Sequence, residues 1–137
     1  MMNCIFCKIG KKEVNSYIIC ETENFLAFLD INPLTPGHSI IIPKEHIVNF
    51  VDLDEKLGEE FVKIIKETII KINKGLKVKD FTIGINEGKL AGRAIDHLHI
   101  HIIPRYKEDK GGSIHSIVHY KTDEKLESIY EKIKNAS

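Results

Sequence analysis

The sequence has no excess of charge of either sign and no long apolar run. Its 20 Lys and Arg balance 20 Asp and Glu, so the formal net charge is zero. A broad electrostatic surface for nucleic acid or membrane is therefore not expected, although a local patch can still bind an anion. The longest aliphatic run, residues 40–42, is far shorter than a membrane-spanning helix. The N-terminal residues lack the basic and then apolar pattern of a secretory signal, which predicts a cytoplasmic protein.

Internal repeats, low-complexity tracts and long linkers are also missing from the 137 residues. That length is typical of one domain, so we expect a single domain over residues 1–137. Hydrophobic residues make up 42% and charged residues 29%, which provides enough apolar material for a core and excludes a disordered chain. The three cysteines, an odd number, argue against a disulfide framework and favour metal binding or reactive thiols.

Two patterns of apolar residues follow one another along the chain. Alternation with a period of two predicts five strands, at residues 16–21, 24–30, 38–42, 81–86 and 95–103. Helical spacing predicts a long helix over 53–74 and a C-terminal helix over 123–134. Asp52 with Glu55 resembles a helix-capping box, and Gly75 suits the end of the long helix. This order of elements indicates an α+β fold with a mainly antiparallel sheet.

Histidines are concentrated in the last predicted strand. His97, His99 and His101 alternate and should share one face, while the apolar residues between them face the long helix. A histidine-rich solvent face is one interpretation. A metal site made by all three is another, but alternate residues of a strand lie about 7 Å apart and do not converge easily on one ion. The third is chemical, because a neutral imidazole can attack a phosphorus atom and a neighbouring one can protonate the leaving group.

A glycine-containing loop precedes these histidines. Asn86, Gly88 and Gly92 offer an amide side chain and backbone N–H groups that can approach a phosphate closely. Such glycines are usually only turn formers when they stand alone. In front of three histidines, they favour a site for an anion.

Residues 97–103 read His-Leu-His-Ile-His-Ile-Ile, which resembles the signature of the histidine-triad (HIT) family. Further similar blocks occur in the expected order, at residues 4–9, 26–31, 37–46 and 103–105. Together they cover residues 4–106 and are far more specific than one short motif. The chain is thus similar to nucleotide-binding HIT proteins of the branch with zinc-ligand cysteines, such as the protein kinase C inhibitor-like proteins. Residues 107–137 would form a C-terminal loop and helix outside this core.

The resemblance implies a fold and a set of catalytic residues. The expected fold is HIT-like α+β, with an antiparallel sheet of about five strands, one long helix and a C-terminal helix, in a homodimer with one continuous sheet. His99 would be the nucleophile that attacks the α-phosphorus and forms a nucleotidyl-histidine. His101 would lie near the leaving-group atoms, and His38 would belong to the same hydrogen-bond network.

The resemblance also implies a nucleotide site to which His99 and His101 contribute. Asp30 would bind the ribose hydroxyls, and Asn86 and Gly92 would contact phosphate. The base pocket would be formed by Ile5, Phe6, Ile9, Val14, Phe28 and Ile31, for which simple core packing is the alternative. After Gly92 the family usually has Gln and then often Ser, whereas this chain has Arg93 and Ala94. Arg93 would either contact the anion more strongly or point to solvent.

Zinc binding is a separate question. The spacing of Cys4 and Cys7 alone leaves a zinc site and two reduced structural thiols equally open. The resemblance adds His46 and His97 as the remaining ligands of a closed structural Zn²⁺ site. Cys20 is interpreted as a core residue, and the two histidines at positions 115 and 119 as loop residues.

The resulting prediction is an enzyme that acts on purine nucleotide conjugates. We expect a nucleotide phosphoramidase or nucleotidyl hydrolase that attacks the α-phosphate. The alternatives are a dinucleoside polyphosphate hydrolase, a nucleotide-binding adaptor with low turnover, and a zinc-dependent interaction module. A homodimer with a purine nucleotide as ligand is expected, without nucleic acid or membrane as partners.

Overall fold

The computed structural model describes residues 3–137 and is built around a five-stranded antiparallel sheet. The strands are β1 Ile18–Glu21, β2 Phe25–Leu29, β3 Ser39–Pro43, β4 Phe81–Gly84 and β5 Ile100–Pro104. They lie side by side in the order β1-β2-β3-β5-β4. The α-helices are α1 Ile5–Gly10, α2 Gly58–Leu76 and α3 Leu126–Lys134. The α+β fold with about five antiparallel strands, one long helix and a C-terminal helix is confirmed.

The sheet separates two hydrophobic cores. On one face, Phe25, Ile41 and Ile100 pack against α2 through Ile64 and Ile72. On the other face, the intervening strand residues pack against α1, in a cluster formed by Leu26, Phe28, Ile40, Ile42, Phe6 and Ile9. Burying a large apolar side chain contributes about 1.5–3 kcal/mol, so both helices are held to the sheet mainly by these contacts. The expected contact between the long helix and the apolar residues of the histidine segment is confirmed for Ile100 and Ile102.

The long helix begins later than the apolar spacing predicts. Two short 3₁₀ turns, Phe50–Asp52 and Glu55–Leu57, precede α2. The carboxylate of Asp54 caps the second turn by accepting the Lys56 N–H at 2.9 Å, so the prediction of a capping box at Asp52 and Glu55 is wrong. At the other end, Lys77 adopts a left-handed conformation with φ 60° and closes the helix on Asn73 O. Gly75 therefore lies inside α2.

The predicted strand over 95–103 is wrong for its first five residues. β5 begins only at Ile100, and residues 95–99 form a loop. In this loop the Leu98 N–H donates to Ile47 O at 2.6 Å and not to a neighbouring strand. Periodicity cannot detect this loop, because its apolar and histidine residues are as buried as those of the strand that follows.

The C-terminal segment lies mostly on the surface. Between β5 and α3, the described residues contain one 3₁₀ turn, Ile114–Ser116, and otherwise irregular chain. The helix is shorter than predicted, and Leu126, Tyr130 and Ile133 of its apolar stripe are exposed. Among residues 3–137, no helix combines the length and the apolar character needed to cross a bilayer.

Candidate active site and metal centre

A cavity of about 450 Å³ lies between α1 and the sheet face that α1 covers. Its walls contain the predicted nucleotide-site residues Ile5, Phe6, Ile9, Val14, Phe28, Asp30, Ile31, Asn86, Gly92, His99 and His101. These residues come from the N-terminal helix, from strands β2 and β5 and from three connecting segments. The structure therefore brings together groups that lie up to 96 positions apart in the sequence.

Two predicted residues do not line this cavity. His38 is buried behind His101, with His38 Nε2 2.9 Å from His101 Nδ1. Arg93 donates to Asn49 Oδ1 at 2.8 Å and pairs with Asp96 at 3.2 Å. Asn49 and Asp96 thus hold the guanidinium of Arg93 and fix its orientation.

Several cavity residues were not assigned to the site from the sequence. They are Asn15, Ser16, Leu29, Asn32, Ile40, Ala94 and Ile95. The hydroxyl of Ser16 is buried and has no hydrogen-bond partner among residues 3–137. Small polar residues in front of a strand look like turn formers, so only the folded chain reveals that they line a cavity.

The hydrogen bonds of His99 define which of its ring nitrogens is free. Its Nδ1 lies 2.7 Å from His97 O, and a carbonyl can only accept a hydrogen bond. The proton of the neutral ring therefore sits on Nδ1, which leaves the lone pair on Nε2. His99 lines the cavity but is only 8% exposed, so its ring is largely shielded from solvent.

A chain of hydrogen bonds determines which ring nitrogen of neutral His101 carries the proton. The Leu34 N–H donates to His38 Nδ1 at 3.0 Å, so the proton of neutral His38 must be on Nε2. That Nε2–H donates to His101 Nδ1 at 2.9 Å. The remaining proton of neutral His101 is then on Nε2. One backbone N–H thus sets the tautomers of two imidazoles in series.

Burial keeps both of these histidines neutral at physiological pH. Desolvation, with smaller contributions from His99 and His38, lowers the pKa of His101 to about 4. Desolvation also lowers the pKa of His38, although the nearby carboxylate of Asp30 opposes this. The hydrogen-bond chain described above therefore holds at neutral pH.

Asp30 and Gly92 complete the polar part of the wall. Asp30 Oδ1 accepts the Asn32 N–H at 2.8 Å, and its Oδ2 lies 3.6 Å from His38 Nε2. Its side chain is 17% exposed, so a carboxylate with free lone pairs faces the cavity. Gly92 has φ +103°, a conformation that side chains other than glycine rarely adopt. Its backbone borders the cavity next to Asn86.

Cys4, Cys7, His46 and His97 form a cluster that fits a metal ion. Their four ligand atoms all lie within 4.8 Å of one another. The Cys4 Sγ–His97 Nδ1, Cys7 Sγ–His46 Nδ1 and Cys7 Sγ–His97 Nδ1 distances are 3.3, 3.2 and 3.5 Å. A tetrahedral zinc ion with ordinary bond lengths separates sulfur and nitrogen ligands by about 3.6 Å. His97 Nε2 donates to Pro43 O at 2.8 Å, which leaves the lone pair on Nδ1, the atom that faces the thiols.

The histidines that look equivalent in the sequence thus belong to different sites. The loop before β5 turns His97 toward the thiols, whereas the rings of His99 and His101 stay together with centroids 5.1 Å apart. The prediction that all three share one strand face is therefore wrong for His97. Burial, with Cys4 as a neighbour, raises the pKa of the Cys7 thiol, and a bound cation would act in the opposite direction.

A second cluster, Asp30, His38 and His101, also has its ligand atoms within 4.8 Å of one another. This donor set does not fit a metal ion. Ligation through His38 Nε2 would require the ring proton on Nδ1, where it would oppose the Leu34 N–H at 3.0 Å. The hydrogen bonds of this cluster instead determine which ring nitrogen of His38 and of His101 carries the proton.

Comparison with known proteins agrees with the fold. The model of the HIT domain family matches residues 11–108. An uncharacterized HIT-like protein of Borreliella burgdorferi is 43% identical over all of this chain and 95% of its own length. Adenosine 5'-monophosphoramidase of Schizosaccharomyces pombe is 36% identical over 80% of each chain.

Solved structures give the same result. A member of the HIT family from Bacillus subtilis superimposes with a TM-score of 0.83, at 34% identity over 98% of both chains. A Zn-bound histidine triad family protein from Mycobacterium smegmatis superimposes with a TM-score of 0.72, at 35% identity over 80% of this chain and 79% of that one. With the family model covering more than half of the residues and a relative matching the whole chain, this protein belongs to the HIT family.

Proposed function

We propose that this protein is a hydrolase that cleaves purine nucleoside phosphoramidates or related adenylates at the α-phosphorus. The observation that carries the proposal is the 2.7 Å hydrogen bond from His99 Nδ1 to His97 O, which leaves His99 Nε2 as a free nucleophile at the cavity wall. The yeast relative that is named an adenosine 5'-monophosphoramidase supports the same class of substrate.

In the first step, His99 Nε2 attacks the α-phosphorus and forms an N–P bond while the bond to the leaving amine breaks. The leaving nitrogen takes one proton. His101 is next to His99 and presents Nε2–H, so it is the group assigned to hydrogen-bond the atoms on phosphorus and to supply that proton. The negative charge of a bound phosphate favours the protonated form of this imidazole. Water then attacks phosphorus and the N–P bond breaks. The proton that the water loses returns to His101 Nε2, so the nucleoside monophosphate is released and both histidines regain their starting forms.

The other cavity residues select and orient the nucleotide. The apolar wall formed by α1 and β2 suits a base, and the Asp30 carboxylate can accept hydrogen bonds from both ribose hydroxyls. Asn86 and the backbone at Gly92 are assigned to the phosphate. Arg93 contacts Asn49 and Asp96, so we assign it the role of holding the loop and not that of a direct phosphate contact.

Zinc has a separate role in this proposal. Cys4, Cys7, His46 and His97 would hold Zn²⁺ with four protein ligands, and such a closed site supplies stability, not an open position for water. The ion would tie α1 to the loops after β3 and before β5. The single domain over 1–137, the homodimer and the cytoplasmic location implied by the sequence stay predictions.

The test is a substrate panel combined with one substitution. Adenosine and guanosine 5'-phosphoramidates are compared with diadenosine polyphosphates, and the reaction is quenched to trap an acid-labile nucleotide adduct. We expect turnover of the phosphoramidates and an adduct on His99. His99→Ala should lower kcat/KM more than about 1,000-fold, as expected for loss of a nucleophile. His119→Ala, at an exposed position outside the cavity, is the matched control.

The outcomes separate the alternatives. Faster turnover of diadenosine polyphosphates would assign the site to that substrate class instead. Tight nucleotide binding without turnover would indicate an adaptor. An adduct on His101, or full activity of His99→Ala, would refute the mechanism.

A further inference from the structure

Helix α1 carries metal-ligand candidates and cavity residues at the same time. Cys4 caps its N-terminus through Sγ, which accepts the Cys7 N–H, and Cys7 lies in its first turn. Ile5, Phe6 and Ile9 of the same six residues line the cavity. A helix of this length is not stable by itself in water. Its position, and with it one wall of the cavity, therefore depends on the contacts made on its two sides.

Phe6 is the residue of α1 that contacts both sites. Its ring is 5% exposed. The ring centroid lies 5.9 Å from that of His97, a candidate metal ligand, and 5.1 Å from that of His99, the proposed nucleophile, both in edge-to-face geometry. It also lies 5.9 Å from the ring centroid of Phe28, a residue of β2 that lines the same cavity. A displacement of α1 must therefore change the packing around the nucleophile and the space for a base.

We infer that Phe6 is a positioning residue that couples the Cys4–Cys7–His46–His97 site to the nucleotide cavity. An ion held by both cysteines fixes α1, and α1 then presents Phe6 against His99 and the base. A base stacked in the cavity in turn holds α1 where the thiols meet the two imidazoles. Because such coupling is reciprocal, nucleotide must raise the affinity for zinc by the same factor by which zinc raises the affinity for nucleotide. This inference rests on the proposed nucleotide binding in the cavity.

A second path of contacts links the two sites, and the experiment must distinguish it from the path through Phe6. His97 O accepts the hydrogen bond of His99 Nδ1, so a metal on His97 also reaches the nucleophile through one peptide group. That route ends at the phosphate and does not involve a base. The route through Phe6 requires a base against the α1 wall. Adenosine 5'-monophosphate uses both routes, whereas ribose 5-phosphate, which has no base, uses only the first.

The experiment measures zinc affinity of the zinc-loaded full-length protein by competition with a chelator of known affinity. It is done without ligand, with saturating adenosine 5'-monophosphate and with saturating ribose 5-phosphate, and calorimetry confirms saturation. We expect adenosine 5'-monophosphate to raise the zinc affinity at least about 5-fold, the lower end of typical coupling. Ribose 5-phosphate should change the zinc affinity less than about 2-fold, because it has no base to pack against Phe6.

Three variants assign the coupling to Phe6. Phe6→Ala should abolish the effect of adenosine 5'-monophosphate on zinc affinity even when calorimetry shows the nucleotide to be bound, and the more conservative Phe6→Leu should retain part of it. Tyr120→Ala removes an exposed aromatic ring outside the cavity and outside the metal-ligand cluster, so it should keep the full coupling. The comparison of the two ligands on unaltered protein provides the test even if Phe6→Ala does not fold.

Each outcome decides between the hypotheses. Equal effects of the two ligands, or full coupling in Phe6→Ala, would overturn the role of Phe6 and leave the proposed function intact. Binding of the nucleotide without any change of zinc affinity would refute the coupling altogether. If calorimetry detects no nucleotide binding, the proposed function and this inference both fail.

Discussion

Acidification should destabilise this protein because His101 is buried in its neutral form. Its pKa in the folded chain is about 4, against an ordinary value of 6.5, and burial is the main cause. Between these two values the unfolded chain binds a proton that the folded chain does not bind. The stability due to neutral His101 is therefore complete above pH 6.5 and is lost as the pH falls toward 4.

The size of the effect follows from the two pKa values. The difference corresponds to at most about 3 kcal/mol in total, and about 2 kcal/mol of this is lost between about pH 7 and pH 5. His38 and His97 have pKa values shifted in the same direction, so the unaltered protein should lose more than this amount. The contribution of His101 alone has to be isolated by substitution.

His101→Gln isolates that contribution, because glutamine can hydrogen-bond to His38 but does not titrate. Urea unfolding of both proteins over this pH range, at one zinc concentration, gives the free energy of unfolding. From about pH 7 to pH 5, unaltered protein should lose about 2 kcal/mol more than His101→Gln. His119→Gln removes an exposed histidine and should follow the unaltered protein. Parallel curves for unaltered protein and His101→Gln would refute the burial argument.

Three other predictions follow from the contacts. Asp30→Ala should weaken ribonucleotide binding and remove discrimination against the 2′-deoxy form, measured by calorimetry, and equal loss for both sugars would reject the ribose assignment. Cys4→Ser should lower bound zinc below one per chain by metal analysis and lower the Tm, whereas Cys20→Ser, outside the cluster, should keep the zinc; a full zinc content in Cys4→Ser would exclude Cys4 as a ligand. Glu60 accepts hydrogen bonds from Thr22 Oγ1, Asn24 N and Asn24 Nδ2 at 2.6, 2.6 and 2.9 Å, so Glu60→Ala should cost about 1–3 kcal/mol in urea unfolding. Glu59→Ala on the exposed side of α2 should cost less, and equal costs would show that these bonds to the β1–β2 turn contribute nothing.

The positions of most elements could be predicted because their signals are local. Alternation of apolar residues located the first four strands to within two residues at each end, since a half-buried strand repeats every two residues, but it placed the start of β5 five residues too early. The predicted start of α2 is too early, because the apolar residues at 53 and 57 pack on the same core although they lie in the segment of 3₁₀ turns before the helix. The exposed stripe of α3 was also invisible to periodicity, which reports that a helix has an apolar face and not what covers it.

The motif identified the residues of the candidate site, but it did not predict which of them contact one another or where their protons lie. The spacing of His97, His99 and His101 suggested one shared strand face. In the folded chain, the loop at 95–99 breaks that regularity and sends His97 to the thiols. Hydrogen bonds to His97 O and from Leu34 N–H then determine which nitrogen of His99 and of His101 carries the proton.

By itself, the sequence determined the fold class, the family resemblance and the types of group at the site, because these depend on side-chain chemistry and on spacing along the chain. Only the tertiary structure decided that the four metal-ligand candidates meet and that Asp30, His38 and His101 do not form a second metal site. It also placed Arg93 against Asn49 and set Phe6 between the two sites. The physical reason is that these outcomes depend on hydrogen bonds and contacts between residues distant in the sequence, whose directions no local pattern encodes.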